Sequence, residues 1–230
     1  MKERCIVDFH AHILPGADHG SDCLETTEKQ LKLLKKAGVE KVVATPHFYP
    51  QRDSVQSFLE RRDKAVEELK KLTEDRPTVM IGAEVLVCPG IDHMPELEKL
   101  CIQGTDILLL EMPFSTWRRE HIDAVRKIIK QGYTVIMAHI DRYSDDNIGK
   151  LSSEVNVLYQ INGEVITSLK GRKKLKRICT CLPVAAVGSD IHMADKKAVK
   201  RLLRLCSILH EETDDIADTS MALLASAYEV

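Results

Sequence analysis

Seven short apolar runs, each followed by a longer amphipathic stretch, are what most constrain the fold of this 230-residue chain. Runs such as Val135-Ile136-Met137-Ala138 and Ile107-Leu108-Leu109-Leu110 are nearly continuous in apolar residues. Strands buried on both faces have that character. Strands are expected at Cys5–Phe9, Lys41–Thr45, Val79–Val87, Ile107–Glu111, Thr134–Ala138, Val157–Ile161 and Val184–Val187. Helices are expected at Leu24–Lys36, Ser54–Leu72, Pro95–Cys101, Arg119–Lys130, Thr167–Ile178, Lys196–Leu209 and Asp214–Tyr228. In the first of these, Leu31, Leu34 and Ala37 recur at helical spacing and Gly38 stops the helix. Alternating βα units imply a parallel sheet. Periodicity alone leaves open a closed barrel or an open doubly wound sheet.

The polar residues at the strand ends favour the barrel. The first strand runs into Asp8, His10 and His12, the second into His47, the third into Glu84 and the fourth into Glu111. The fifth runs into His139, the sixth into Asn162, and the seventh into Asp190 and His192. In a βα barrel the C-terminal ends of all strands face one mouth. In an open sheet they spread along an edge, and only the crevice at the switch point is usable.

His10-x-His12 sets two imidazoles on one side of a strand, because side chains alternate with period two, and Asp190-x-His192 repeats the geometry. Pro46 keeps the chain extended just before His47. Glu84 and Glu111 add carboxylates able to bridge ions. Six of the nine histidines (His10, His12, His19, His47, His139, His192) fall in such places, whereas His93, His121 and His210 read as structural or solvated. A mixed histidine and carboxylate set suits Zn, Mn or Fe, and its size calls for two or three divalent metals. Clustered ions acidify a bound water and neutralise a phosphate whose ester bond breaks. Arg142, three residues after His139, is placed to bind the outward phosphate oxygens. With no serine, cysteine or aspartate nucleophile motif in competition, direct attack by metal-bound hydroxide is the simplest chemistry. A lone strand-end histidine would more often be structural; six strands ending this way point to a site.

The remaining composition excludes other classes. A net charge of −2, from 33 basic and 35 acidic residues, gives no basic stripe for nucleic acid. The start MKERCIVDFHAH does not read as a signal peptide, and no window has the apolar length of a membrane span. A cytoplasmic chain folded as one domain over 1–230 is expected. Seven scattered cysteines, including a lone Cys179-x-Cys181, do not make a disulfide framework or a structural zinc site.

The segments DFHAHILPGADHGS, ATPHF, GAEVLV, LLEMPF, MAHIDRY, QING and VGSDIH, between residues 8 and 192, resemble the PHP (polymerase and histidinol phosphatase) family. They are most similar to its bacterial metal-dependent protein-tyrosine phosphatases of capsular and exopolysaccharide biosynthesis. The resemblance implies a distorted (βα)7 TIM-like barrel with a trinuclear site, usually manganese. It implies His10, His12, His47, Glu84, Glu111, His139, Asp190 and His192 as ligands, and Arg142 as a phosphate-binding residue. Where the family reads Asp-Asp-Gly, this chain has Asp18-His19-Gly20, so His19 stands at a ligand position. Either His19 or Asp18 supplies that ligand; an imidazole there would favour zinc or iron over manganese. Lys196 and Lys197 stand where a second phosphate-binding arginine is expected, and Lys197 is the candidate. Three functions follow. The first is a phosphatase for phosphotyrosine, on the tail of a bacterial tyrosine kinase. The second is a phosphatase for a small phosphomonoester such as histidinol phosphate. The third is a non-catalytic metal-binding regulatory module. In the loop Pro113–Arg119, Phe114 or Trp117 can stack an aromatic substrate ring. Nothing in the sequence determines the oligomeric state.

Overall fold

The computed structural model describes residues 6–72, 75–115, 117–212 and 216–230. Cys5 and Asp214, which begin an expected strand and helix, lie outside the described residues. The elements in order are β1 (Ile6–Ala11), α1 (Leu24–Lys36), β2 (Val39–Ala44), β3 (His47–Phe48), α2 (Val55–Leu69), β4 (Thr78–Ile81) and β5 (Glu84–Leu86). They continue with β6 (Ile107–Glu111), α3 (Arg119–Lys130), β7 (Thr134–Met137), α4 (Asp145–Glu154) and β8 (Leu158–Asn162). The last are α5 (Leu169–Cys181), β9 (Val184–Gly188), α6 (Lys196–Glu212) and α7 (Ile216–Leu223). Serine caps start three helices: Ser54, Ser144 and Ser168 each accept a backbone N–H three residues on. Gly38, at φ 83°, ends the turn after α1.

All pairings between these strands are parallel. Two strands are interrupted. Pro46 has no N–H, and β2 breaks there before resuming as β3. The expected strand Val79–Val87 is correspondingly broken at Gly82-Ala83 into β4 and β5. The Gly82 N–H to Ala44 O bond (2.9 Å) and the Glu84 N–H to Pro46 O bond (3.0 Å) carry the pairing across both breaks. Counted as continuous, the described residues form seven strands in chain order. The ring closes where Asp190 N–H donates to His10 O (2.8 Å) and His12 N–H to Ile191 O (3.0 Å). The fold is therefore a distorted seven-stranded αβ barrel.

Two apolar cores follow from the period of two. Inward residues Val7, Phe9, Val43, Met80, Ile107, Leu109, Ile136, Ala138 and Ala186 fill the lower barrel. Leu224, just past α7, is buried among them, and Met221, Leu223 and Ala227 pack on this core. Tyr228 N–H bonds to Gln103 O (2.9 Å) and Val230 N–H to Val79 O (2.8 Å), so the C-terminal segment lies along β4. The outward residues, such as Leu108, Leu110, Val135 and Met137, pack with the surrounding helices in the larger core.

The expected helix Pro95–Cys101 is only a 3-10 turn over Leu97–Leu100, entered through Glu96 at φ 61°. The helix α4 was not foreseen. Its apolar stripe is short, with only Ile148 and Leu151 among its buried apolar residues. The six cysteines among the described residues are free thiols. No helix among the described residues is long and apolar enough to cross a membrane.

Candidate metal centre

Above the apolar floor the barrel lining turns polar. On β6 the inward series Ile107, Leu109 ends in Glu111, and on β8 the series Leu158, Gln160 ends in Asn162. Two strands depart from simple alternation. On β1 the pairing slips between Asp8 and Ala11, so Phe9 lines the apolar interior while Ala11 faces the outer core. His10 and His12 then both turn to the barrel mouth. Asp8 remains at the slip, where it accepts from the Ser189 N–H (2.8 Å) and Ser189 Oγ (2.5 Å). Burial pushes the Asp8 carboxyl up to about 6 against those bonds. After β7, His139 takes φ 32°, and after β9, Asp190 takes φ 50°. Left-handed backbone at such residues costs on the order of 1–3 kcal/mol each and concentrates at functional sites.

Glu84 lies at the centre of the cluster. Its Oε2 is 3.2 Å from His10 Nε2, 3.4 Å from His12 Nε2 and 2.8 Å from His47 Nδ1. Its Oε1 is 2.8 Å from His139 Nε2, which stands 3.5 Å from Glu111 Oε1. Asp190 Oδ1 is 3.1 Å from His12 Nε2 and 3.6 Å from His10 Nε2. Two atoms bound to one ion at about 2.1 Å are separated by roughly 3 to 4 Å. Three sets have donor atoms mutually close enough to share an ion: His12, His47 and His192; His10, His12 and Asp190; His47, Glu84 and Glu111. His12 and His47 each belong to two of them.

The orphaned atoms fit metal. His47 Nδ1 and Glu84 Oε2 are buried and lack any hydrogen-bond partner, although they stand 2.8 Å apart. They face each other without the alignment of a hydrogen bond, as two ligands of one ion would. The outer nitrogens are held by oxygens. His12 Nδ1 is 2.6 Å from Asp18 Oδ2, His10 Nδ1 is 3.2 Å from Gln160 Oε1, and His192 Nδ1 is 3.0 Å from Asp190 O. Such partners fix the ring and leave Nε2 for a metal. Gly188 is required here, since a Cβ would come within 2.6 Å of His10 Cβ and 2.7 Å of Gln160 Nε2.

Asp18 also accepts the backbone N–H groups of His47 (2.9 Å) and Gly20 (2.8 Å), so in this structure it orients His12. The His19 ring lies parallel to His47 at 4.6 Å and near His192 at 4.8 Å. His19 therefore stands at the rim of the cluster and is absent from the three converging sets. Burial and the nearby His47 charge lower its pKa.

Burial disfavours charge throughout the cluster, and the partners decide the outcome. Burial opposes ionisation of Glu84, but His10, His12 and His139 hold it well below the carboxylate range. Asp190 is lowered likewise by His10, His12 and Arg142. Burial and the His12 charge push His192 down to about 4. His139 is lifted to about 9, burial being outweighed by Glu111 and Glu84, and His12 is lifted by Asp18, Asp190 and Glu84.

The metal-free folded chain therefore keeps protons that the unfolded chain releases above the ordinary histidine value of 6.5. The stabilisation is fully present below that value and is lost as pH rises through about 9. Thermal melts of chelated protein are expected to show Tm falling across this window; a level or rising Tm would contradict the assignment.

Arg142 reaches the mouth, with Nη2 2.7 Å from Asp190 Oδ2 and 3.4 Å from Glu164 Oε2. Lys197 is exposed in the first turn of α6, where its backbone N–H bonds to Asp195 Oδ1 (2.7 Å). Arg201, one turn later on that helix, reaches Glu164 Oε1 at 3.3 Å. The sequence reading missed Arg201, because only the packing of α6 against the turn at 163–167 reveals it. It also missed Gln160, whose one signal was a polar residue at an inward strand position. Asn162 donates to Asp190 Oδ2 (3.1 Å). Trp117 is buried, with Nε1 on Pro113 O (2.8 Å), so its role is structural. Phe114 is 65% exposed and lies 5.9 Å from the His139 ring, open to a substrate.

Comparison with known proteins gives a consistent picture. The profile of the family described as "Capsular polysaccharide synthesis, CpsB/CapC" matches residues 6–220. The tyrosine-protein phosphatase CpsB of Streptococcus pneumoniae is 26% identical over 147 residues, 60% of this chain and 58% of that protein. The tyrosine-protein phosphatase CpsB of Streptococcus agalactiae serotype III is 23% identical, over 98% of this chain and 89% of its own. A crystal structure from work on YwqE of Bacillus subtilis and CpsB of S. pneumoniae, "unique metal-dependent tyrosine phosphatases", superposes with a TM-score of 0.76. Its identity is 18%, over 98% of this chain and 97% of the other, and the likeness is one of fold.

Proposed function

The chain belongs to the capsular polysaccharide synthesis family CpsB/CapC, and from that membership we propose that it is a metal-dependent phosphatase of phosphotyrosine in proteins. The reading places it with the PHP phosphoesterases. The observation that carries it is the convergence of histidine and carboxylate donors on Glu84, with Arg142 beside them. His10, His12, His47, Glu84, Glu111, His139, Asp190 and His192 would hold two or three divalent ions, with Glu84 at the centre of the donor set. Manganese is the first candidate; zinc and iron suit the same donors. His19 lies at the rim, with its ring 4.6 Å from that of His47 and 4.8 Å from that of His192, and would be a peripheral ligand.

When bound, such ions acidify a water and neutralise charge on phosphoryl oxygens. The chain supplies the rest. Arg142 and Arg201 share Glu164 and present a cationic pair for the outward phosphate oxygens, with Lys197 one turn away on α6. Phe114 offers an exposed aromatic face beside the centre, suited to a phosphotyrosine ring. The tail of a tyrosine kinase of polysaccharide synthesis is the proposed substrate protein.

The test is kcat/KM on a phosphotyrosine peptide and on histidinol phosphate, each with manganese, iron and zinc. The peptide is expected to be preferred. Preference for histidinol phosphate would transfer the assignment to a small-molecule phosphatase, and metal binding without turnover of either would indicate a regulatory module.

A further inference from the structure

A groove of about 570 Å³ opens beside the candidate centre, between the strand ends that carry Glu84 and Glu111. Leu86, Val87 and Cys88 form one wall, as the direct continuation from Glu84. Pro113, two residues beyond Glu111, forms the other, with Gln51 and Arg118 at the rim. Two residues of strand place this groove about 7 Å from the glutamates. Its walls are held in place: Val87 N–H bonds to Glu111 O (2.8 Å), and buried Trp117 anchors Pro113 O. The volume is in the range of about 300–1,000 Å³ typical of ligand-binding pockets.

The charge of the lining is one-sided. Arg118 is its only arginine or lysine, and no carboxylate lines it among the described residues. Among the described residues the Arg118 guanidinium has a weak ion-pair partner in exposed Glu120 at 3.7 Å, while its backbone N–H is fixed on His121 Nδ1 (3.0 Å). An apolar trough with a weakly paired, exposed cation at its edge is complementary to an apolar residue next to an acidic one. Phe114 follows Pro113, so whatever occupies the groove leads directly to the ring stacked beside His139.

We infer that this groove binds the segment flanking the phosphorylated residue of a protein substrate, and that Arg118 selects an acidic side chain in that segment. The inference rests on the phosphatase reading above. An extended peptide advances about 3.3–3.6 Å per residue, which sets the acidic residue about two to four positions from the phosphotyrosine.

The test uses metal-loaded protein, phosphotyrosine peptides with one glutamate moved through four positions on either side, and p-nitrophenyl phosphate. In the native protein glutamate at one register is expected to raise kcat/KM by about fivefold, through KM. Arg118→Glu is expected to remove or reverse that preference. Ser115→Trp, at an exposed position of the loop, fills the groove and is expected to lower the ratio of peptide to p-nitrophenyl phosphate kcat/KM. Equal ratios in all three proteins, or no preferred register, would overturn the inference. Native protein that turns over neither substrate would overturn the phosphatase reading, and the groove assignment with it.

Discussion

Glu84→Gln is expected to lower phosphatase activity by at least about 10³-fold, roughly 4 kcal/mol of transition-state stabilisation. It should also remove bound metal. The side chain is almost fully buried, and its two oxygens approach four imidazoles from three parts of the barrel. A glutamine keeps the volume but loses the negative charge, and its NH2 group points a donor at the proposed ligand nitrogens. The checks are metal content by elemental analysis and p-nitrophenyl phosphate turnover on the same preparation. Full metal content with near-native turnover would remove Glu84 from the metal site. In chelated protein the same change should lower Tm, because the buried His139 imidazolium loses its nearest anion.

The second large effect concerns the arginine pair. Arg142→Ala is expected to reduce kcat/KM about 10²-fold, and Arg142→Lys to recover only part of it, since an ammonium lacks the planar fork. Arg201→Ala should act in the same direction and more weakly. The double variant should lose less than the sum of the two, because both guanidiniums meet at Glu164. Metal content must be followed in parallel, as Arg142 also bonds to Asp190. Strict additivity, or retention of activity in Arg142→Ala, would remove phosphate binding from this pair.

Period two carries Ile107 and Leu109 directly to Glu111, so that ligand candidate was legible from alternation alone. The helix over Leu24–Lys36 was legible because apolar spacing and a stop signal agree. His10 and His12 were paired by period two, whereas His139 was found by residue type at a strand end. The slip after Asp8 and the left-handed turn at His139 change which face each strand presents. Such irregularities depend on neighbours across the barrel, as Ser189 on Asp8 shows. The orienting role of Asp18 was hidden for the same reason, since it requires knowing that His12 and the His47 N–H converge on one carboxylate.

The filled lower barrel has a consequence for traffic. Phe9, Met80 and Ile136 are fully buried, and α7 with the C-terminal segment lies across the end opposite the mouth. Among the described residues that end is closed, so on the phosphatase reading ions, substrate and released phosphate would share the mouth as their doorway. A phosphate lingering between the arginines would stand in the way of an ion trying to leave. Chelators should accordingly strip the resting protein faster than the product-bound one, so retention of the cofactor becomes a kinetic property of catalysis itself.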